Sequence, residues 1–184
     1  MLLILASKSP RRAQILEQLG VRFRIEPPCC NEDTAGIPIE SIPKELAIRK
    51  ALDVAAKFQD KFVLGSDTLV FCENTSLGKP KNEEEAFEML KKLRNKAHKV
   101  ISGVALCKKN ELLYAGESQT EVHFRDYSDL EILNYISTME YADKAGAYGA
   151  QGKGARFIES INGCFYNVMG LPIALTLEAL NKIE

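Results

Sequence analysis

Three groups of residues in this sequence place reactive side chains where ordinary folding gives little reason for them. The first is Ser7-Lys8-Ser9-Pro10-Arg11-Arg12, which follows the apolar run Leu2 to Ala6 and opens a helical pattern. A junction from buried strand to helix start exposes backbone N–H groups at the positive end of the helix dipole, and such an end binds phosphate. Ser7 and Ser9 add hydroxyl donors there, and Lys8, Arg11 and Arg12 add cationic ones. The spacing is not that of the GxxxxGK[ST] loop, so a P-loop enzyme is not implied. The alternative is a capped helix with solvated basic residues.

The second group is Gly65-Ser66-Asp67-Thr68, which interrupts the otherwise apolar, strand-like run Phe62 to Cys72. Burying a carboxylate there is costly without a partner. Beside a divalent cation such a carboxylate orients a bound water and accepts its proton, because the cation lowers the water pKa and offsets the burial. An aspartate capping a bulge is the other reading. The third group is dispersed. Glu32, in an irregular loop, is a candidate second metal ligand, while Lys50, bordering a helical stripe, and Lys79, in Gly78-Lys79-Pro80, are candidate phosphate ligands. Each of these also reads as a solvated surface residue when taken singly. His98 and His123 lack metal-ligand spacing and GxSxG is absent, so neither a zinc site nor a Ser-His-Asp hydrolase is expected.

The elements that must position these residues follow from hydrophobic periodicity and capping signals. Leu2 to Ala6 reads as a buried strand, and the following helix is capped by Ser9, starts at Pro10 and stops at Gly20. Val21 to Ile25 alternates as a half-buried strand, and residues 26 to 40 read as an irregular loop. A helix is predicted from Pro43 to Phe58, with Ala47, Ala51 and Val54 on its apolar stripe. A strand covers Phe62 to Cys72. Asn82 with Glu85 predicts a capped helix, and Lys99 to Cys107 with Glu111 to Phe124 predicts an antiparallel pair around Lys108-Lys109-Asn110. Ser128 with Glu131 is a capping box. Residues 142 to 154 form a glycine-rich loop, Ala155 to Ile161 a strand, and Pro172 to Ile183 a closing helix. The mixture predicts an α/β fold, with two lobes around a mixed sheet and all 184 residues in a single domain.

Bulk properties narrow the partners. With 24 basic and 25 acidic residues the net charge is -1, so no global positive field holds a long polyanion, and nucleic acid is not an expected partner. No run approaches the roughly 18 apolar residues of a membrane span, and the apolar start is too short for a secretory leader, so neither membrane insertion nor secretion is expected. The five cysteines are odd in number and without CxxC spacing, which predicts free thiols and a cytoplasmic setting.

Taken together, Ala6 to Arg12, Gly65-Ser66-Asp67-Thr68, Gly78-Lys79-Pro80 and a long tail motif resemble the Maf family of nucleoside triphosphate pyrophosphatases. The tail reads Asp143-Lys144-Ala145-Gly146-Ala147-Tyr148-Gly149-Ala150-Gln151-Gly152, then Phe157-Ile158, then Tyr166-Asn167-Val168-Met169-Gly170-Leu171-Pro172. Ala47 to Ala51, His98 and Thr120 to Phe124 match in between, so the likeness runs nearly the whole chain. The resemblance implies an elongated, inosine-triphosphate-pyrophosphatase-like fold with a cleft between lobes. It also implies hydrolysis of a nucleoside triphosphate to monophosphate and pyrophosphate with Mg²⁺ or Mn²⁺. On that likeness Asp67 corresponds to the proton acceptor, Ser9, Arg11, Arg12, Glu32, Lys50 and Lys79 to cleft residues, and Arg12, Thr68 and Gln151 to positions that choose the base. The AYGxQG tail resembles the branch acting on dTTP and UTP. Family members are often dimers, so the resemblance allows a homodimer, while the sequence itself does not reveal the oligomeric state. A nucleotide-binding regulator of cell division without turnover, and a pyrophosphatase for 7-methyl-GTP or other modified nucleotides, remain alternatives. Departures from the pattern are Ala150, Asn95-Lys96, Phe165 and the segment Pro27-Pro28-Cys29-Cys30-Asn31, where acidic residues often precede the position of Glu32.

Overall fold

The computed structural model describes residues 2–73 and 75–183. The first apolar run forms β1 (Leu3–Ala6), buried along its whole length. Pro10 then opens α1 (Pro10–Gln18), with Ala13, Ile15 and Leu16 turned inward, and Gly20 follows its end at φ 69°, a conformation that favours glycine. One expectation fails here. The Ser9 side chain does not cap α1; instead its N–H donates to Ser7 Oγ at 3.1 Å. The short strand β2 (Phe23–Ile25) pairs in parallel with β1.

After the irregular segment comes α2 (Ile42–Ala55), which buries Leu46, Ala47, Ala51 and Val54 and ends before the expected Phe58. β3 (Val63–Cys72) lies parallel to β1 in a register that sets Leu5 beside Leu64 and Ala6 beside Gly65. β4 (Thr75–Leu77), not foreseen in the sequence, pairs antiparallel with the end of β3. α3 (Glu83–Leu93) has the expected Asn82 cap, whose side chain accepts the Glu85 N–H at 2.8 Å. β5 (Ala97–Lys108) and β6 (Glu111–Phe124) are hydrogen-bonded neighbours joined by Lys109-Asn110, both at positive φ as a two-residue hairpin turn requires. α4 (Asp129–Ile136) begins with the full Ser128–Glu131 capping box.

The glycine-rich stretch resolves into short 3₁₀ turns, and β7 (Ile158–Asn162) begins later than Ala155. The delay has a local cause: the Glu140 carboxylate accepts the N–H groups of Lys153 and Gly154, which winds residues 153–157 into a turn. α5 (Phe165–Met169) is too short to announce itself by periodicity, and α6 (Ile173–Leu180) closes the chain. The strands follow the order β2-β1-β3-β5-β6-β7, with β4 on β3, a mixed sheet in an α/β fold.

The chain divides into two compact units. The first contains Met1–Thr68, Ser102–Ser118 and Gly170–Glu184, and its core includes Ile4, Ala47, Ala51, Val54, Val63 and Ala105. The second contains Leu69–Ile101 and Gln119–Met169. Its core is built on Val70, Leu90, Phe124, Ile132, Tyr135 and Phe157. Within that second core His98 is buried edge-on to Phe124 and bonds Tyr148 Oη through Nε2 at 2.8 Å. Burial, and then the nearby His123, push its pKa down to about 4. All five cysteines are free thiols, as expected, and no helix among the described residues is long and apolar enough to cross a membrane.

Candidate active site

The parallel pairing of β1 with β3 decides where the first two groups of reactive residues meet. Because Ala6 pairs with Gly65, the turn leaving β1 at Ser7 runs beside Ser66, Asp67 and Thr68 of β3. Arg12, on the first turn of α1, makes this explicit. Its Nε donates to Gly170 O at 2.8 Å, Nη1 to Ser7 Oγ at 3.1 Å and Nη2 to Thr68 Oγ1 at 3.1 Å. The guanidinium thus ties the anion-binding turn, the Asp67 strand and the segment before α6 into one assembly. Burial lowers its pKa, and the charge of Asp67 opposes that shift.

Asp67 is 9 % exposed, so its charge requires a partner, and that partner is Lys50. Lys50 Nζ lies 2.6 Å from Asp67 Oδ1 and 2.8 Å from Glu32 Oε1. Burial works to lower the Lys50 pKa, but the charge and hydrogen bond of Asp67, and then those of Glu32, outweigh it and hold the pKa above the ordinary value. The ammonium is therefore a fixed positive charge at neutral pH.

Glycine makes the reach of Lys50 possible. A Cβ at Gly65 would lie 2.3 Å from Ala47 O and 2.9 Å from Ala51 N, so the α2 backbone rests directly on β3 two residues before Asp67. Gly103 does the same on β5, where a Cβ would lie 2.4 Å from both Lys44 Cα and Pro43 O. With α2 seated on two glycines, Lys50 stands over Asp67.

Sequence reasoning named Thr68 but gave Ser66 no role and missed Ser102, whose hydroxyls help brace this strand. Ser66 Oγ lies 2.8 Å from Gly103 O and 2.9 Å from Gly170 O, and Thr68 Oγ1 lies 2.8 Å from Ser102 Oγ. Since the Arg12 guanidinium only donates, Thr68 accepts from it and its own proton is left for another partner. Ser66 and Ser102 are fully buried. A polar residue inside an apolar strand is the signal that singled out Asp67, and Ser102 in Val100-Ile101-Ser102-Gly103-Val104 carries it too.

Of the residues singled out in the sequence, Ser7, Ser9, Arg11, Arg12, Glu32, Lys50, Asp67 and Thr68 all belong to the first unit, and Lys79 and Gln151 belong to the second. Lys79 is an exposed residue between β4 and α3, and Gln151 is exposed in the glycine-rich stretch. Two carboxylates converging on one ammonium form a hard oxygen donor pair. That suits Mg²⁺ or Mn²⁺, which commonly take one or two carboxylates and complete their shell with water and phosphate oxygens. Among the described residues no cluster of three or more His, Cys, Asp or Glu side chains could hold a metal, so the pair would depend on substrate and solvent for the rest.

The family model for Maf-like proteins matches residues 2–183. The chain belongs to the Maf-like family. Its relatives include proteins named dTTP/UTP pyrophosphatase from Dictyoglomus thermophilum, 42% identical over 98% of this chain and 95% of the relative, and from Aquifex aeolicus, 45% identical over 100% and 96%. Another relative of the same name, from Halalkalibacterium halodurans, is 44% identical over 97% of this chain and 94% of its own. Among solved structures, the Staphylococcus aureus Ham1 protein superposes with a TM-score of 0.55 at 12% identity, covering 100% of both chains. A HAM1 protein from Coxiella burnetii gives a TM-score of 0.50 at 18% identity over 67% of this chain and 73% of that one. At such identities these two likenesses speak for the fold, and they agree with the mixed α/β architecture expected of this Maf-like chain.

Proposed function

We propose that this Maf-like protein hydrolyses nucleoside triphosphates, dTTP and UTP foremost, to the monophosphate and pyrophosphate, with Asp67 as the base that activates water. The observation that carries this reading is the Lys50 ammonium shared by Asp67 and Glu32, with Asp67 in a strand whose parallel partner leads into the Ser7 to Arg12 turn. The names of the relatives point to the same substrates.

In this reading the α1 start, with Ser7, Ser9, Arg11 and Arg12, receives phosphate oxygens and fixes the triphosphate for in-line attack. Lys50 supplies positive charge beside the triphosphate, held protonated before the reaction by its two carboxylate neighbours. Asp67 Oδ accepts the proton of the attacking water as the new P–O bond forms and pyrophosphate departs. A divalent cation held by Glu32 and Asp67 would polarise phosphate oxygens and acidify water when bound. Thr68 and Gln151 contribute to the choice of base, and Lys79 adds charge toward the phosphates.

Asp67→Asn tests the assignment. It keeps the size of the side chain but removes the basic oxygen, so the variant is expected to fold and to lose about 10²-fold or more in pyrophosphate release from dTTP and UTP. Wild-type turnover would exclude Asp67 as the base. A wild-type enzyme that turns over 7-methyl-GTP faster than dTTP or UTP would exclude the pyrimidine preference.

A further inference from the structure

Glu32 presents a positioning problem. Its side chain is 60% exposed and sits in the irregular segment between β2 and α2, yet its carboxylate meets Lys50 Nζ at 2.8 Å. A glutamate on a loose loop would lose that geometry to conformational entropy.

The surface of α2 supplies the restraint. Arg49, next to Lys50, donates through Nη1 to Asp33 O at 2.5 Å and, at 3.5 Å, to Asn31 O, the carbonyls on either side of Glu32. Its Nε is fixed by Glu45 Oε1 at 3.1 Å. One turn further on, Asp53 Oδ2 accepts the Cys29 N–H at 2.9 Å. Glu45, Arg49 and Asp53 are spaced four apart and so form one stripe of the helix, with Lys50 beside it. The segment is stiffened from within, because the Asn31 and Asp33 side chains accept the N–H groups of Asp33 and Ala35.

We propose that Arg49 and Asp53 are positioning residues: they latch residues 29–33 onto α2 and so present the Glu32 carboxylate to the cation it shares with Asp67. The inference deepens the proposed function and rests on its reading of Glu32 as a cation ligand. It assigns a task to two residues that touch neither substrate nor cation, and it explains how a chain without acidic residues just before Glu32 still delivers that carboxylate.

The test uses the full-length protein and two readouts other than turnover. Mn²⁺ binding is titrated by electron paramagnetic resonance, and alkylation of the half-buried Cys30 by iodoacetamide is followed by mass spectrometry, with the half-buried Cys164 as internal reference. Arg49→Ala, by removing hydrogen bonds from a charged donor, is expected to weaken Mn²⁺ binding about tenfold and to speed Cys30 alkylation by a similar factor relative to Cys164. Asp53→Ala should move both readouts in the same direction, and Asp53→Asn, which keeps an acceptor for the Cys29 N–H, should restore them. Wild-type values of both readouts in Arg49→Ala overturn the latch. So does a change in either one alone, if Glu32→Gln itself weakens Mn²⁺ binding. If Glu32→Gln binds Mn²⁺ as the wild type does, the cation reading of Glu32 fails; the alkylation rate alone then decides the latch, and an unchanged rate overturns it.

Discussion

Replacing Gly65 by alanine would insert a methyl group between β3 and α2 at a point where backbone meets backbone. The added Cβ would lie 2.3 Å from Ala47 O, 2.9 Å from Ala51 N and 3.0 Å from Ala51 Cβ, and the first two are backbone atoms of a helix that cannot yield locally. Relief requires α2 to lift off the sheet by about 1 Å, which is overpacking of a kind that costs about 1–3 kcal/mol. The same movement carries Lys50 away from Asp67, now 2.6 Å apart, and stretches their bond beyond hydrogen-bonding range. A displacement of that size at a reacting group lowers turnover by about 10²-fold. Pyrophosphate release from dTTP at saturating substrate, measured well below the melting temperature of the variant, separates the two effects. A Gly65→Ala protein that melts earlier yet keeps wild-type kcat would refute the claim that the approach of α2 sets the Lys50–Asp67 geometry. A variant with unchanged melting would refute the clash itself.

Two further outcomes follow from the structure. His98 is neutral when folded, with a pKa of about 4 against an ordinary 6.5, so the unfolded chain binds more protons than the folded one between these values. Its contribution is complete above the unfolded value and shrinks as pH falls toward the folded one. About 2 kcal/mol should be lost between pH 7.5 and 5 in urea unfolding, and a His98→Asn protein should lack that part of the slope. Arg12→Lys cannot reproduce three hydrogen bonds made to Gly170 O, Ser7 Oγ and Thr68 Oγ1, so KM for dTTP and UTP should rise about tenfold in steady-state assays; an unchanged KM would remove Arg12 from substrate binding.

Much of this protein was legible in its residues. Local signals placed β1, α1, α3, α4, β6 and the hairpin turn, because caps, prolines and periodicity act over a few residues and leave a mark in order along the chain. They also exposed Asp67, since a carboxylate inside an apolar run contradicts its surroundings. The short elements β4 and α5 escaped for the opposite reason: three and five residues contain no full period to read. Ser9 illustrates the limit of local signals, because a side chain of the right type before Pro10 forms no cap in the fold, where its backbone is turned toward Ser7 instead.

Partnership was decided only by the tertiary structure. Lys50 and Asp67 are 17 residues apart, and nothing in either neighbourhood names the other; the parallel register of β1 on β3 and the seating of α2 on Gly65 and Gly103 bring them together. Gly170 is further away still. Its carbonyl receives Arg12 across 158 residues, a contact that exists because the chain returns to the first unit after completing the second. Residue types and spacing fixed which chemistry was available, since hydroxyls, guanidinium and carboxylate keep their character anywhere. Distances and burial fixed which groups act on one another, since charge pairing and hydrogen bonding fall off within a few ångströms and depend on exclusion of water.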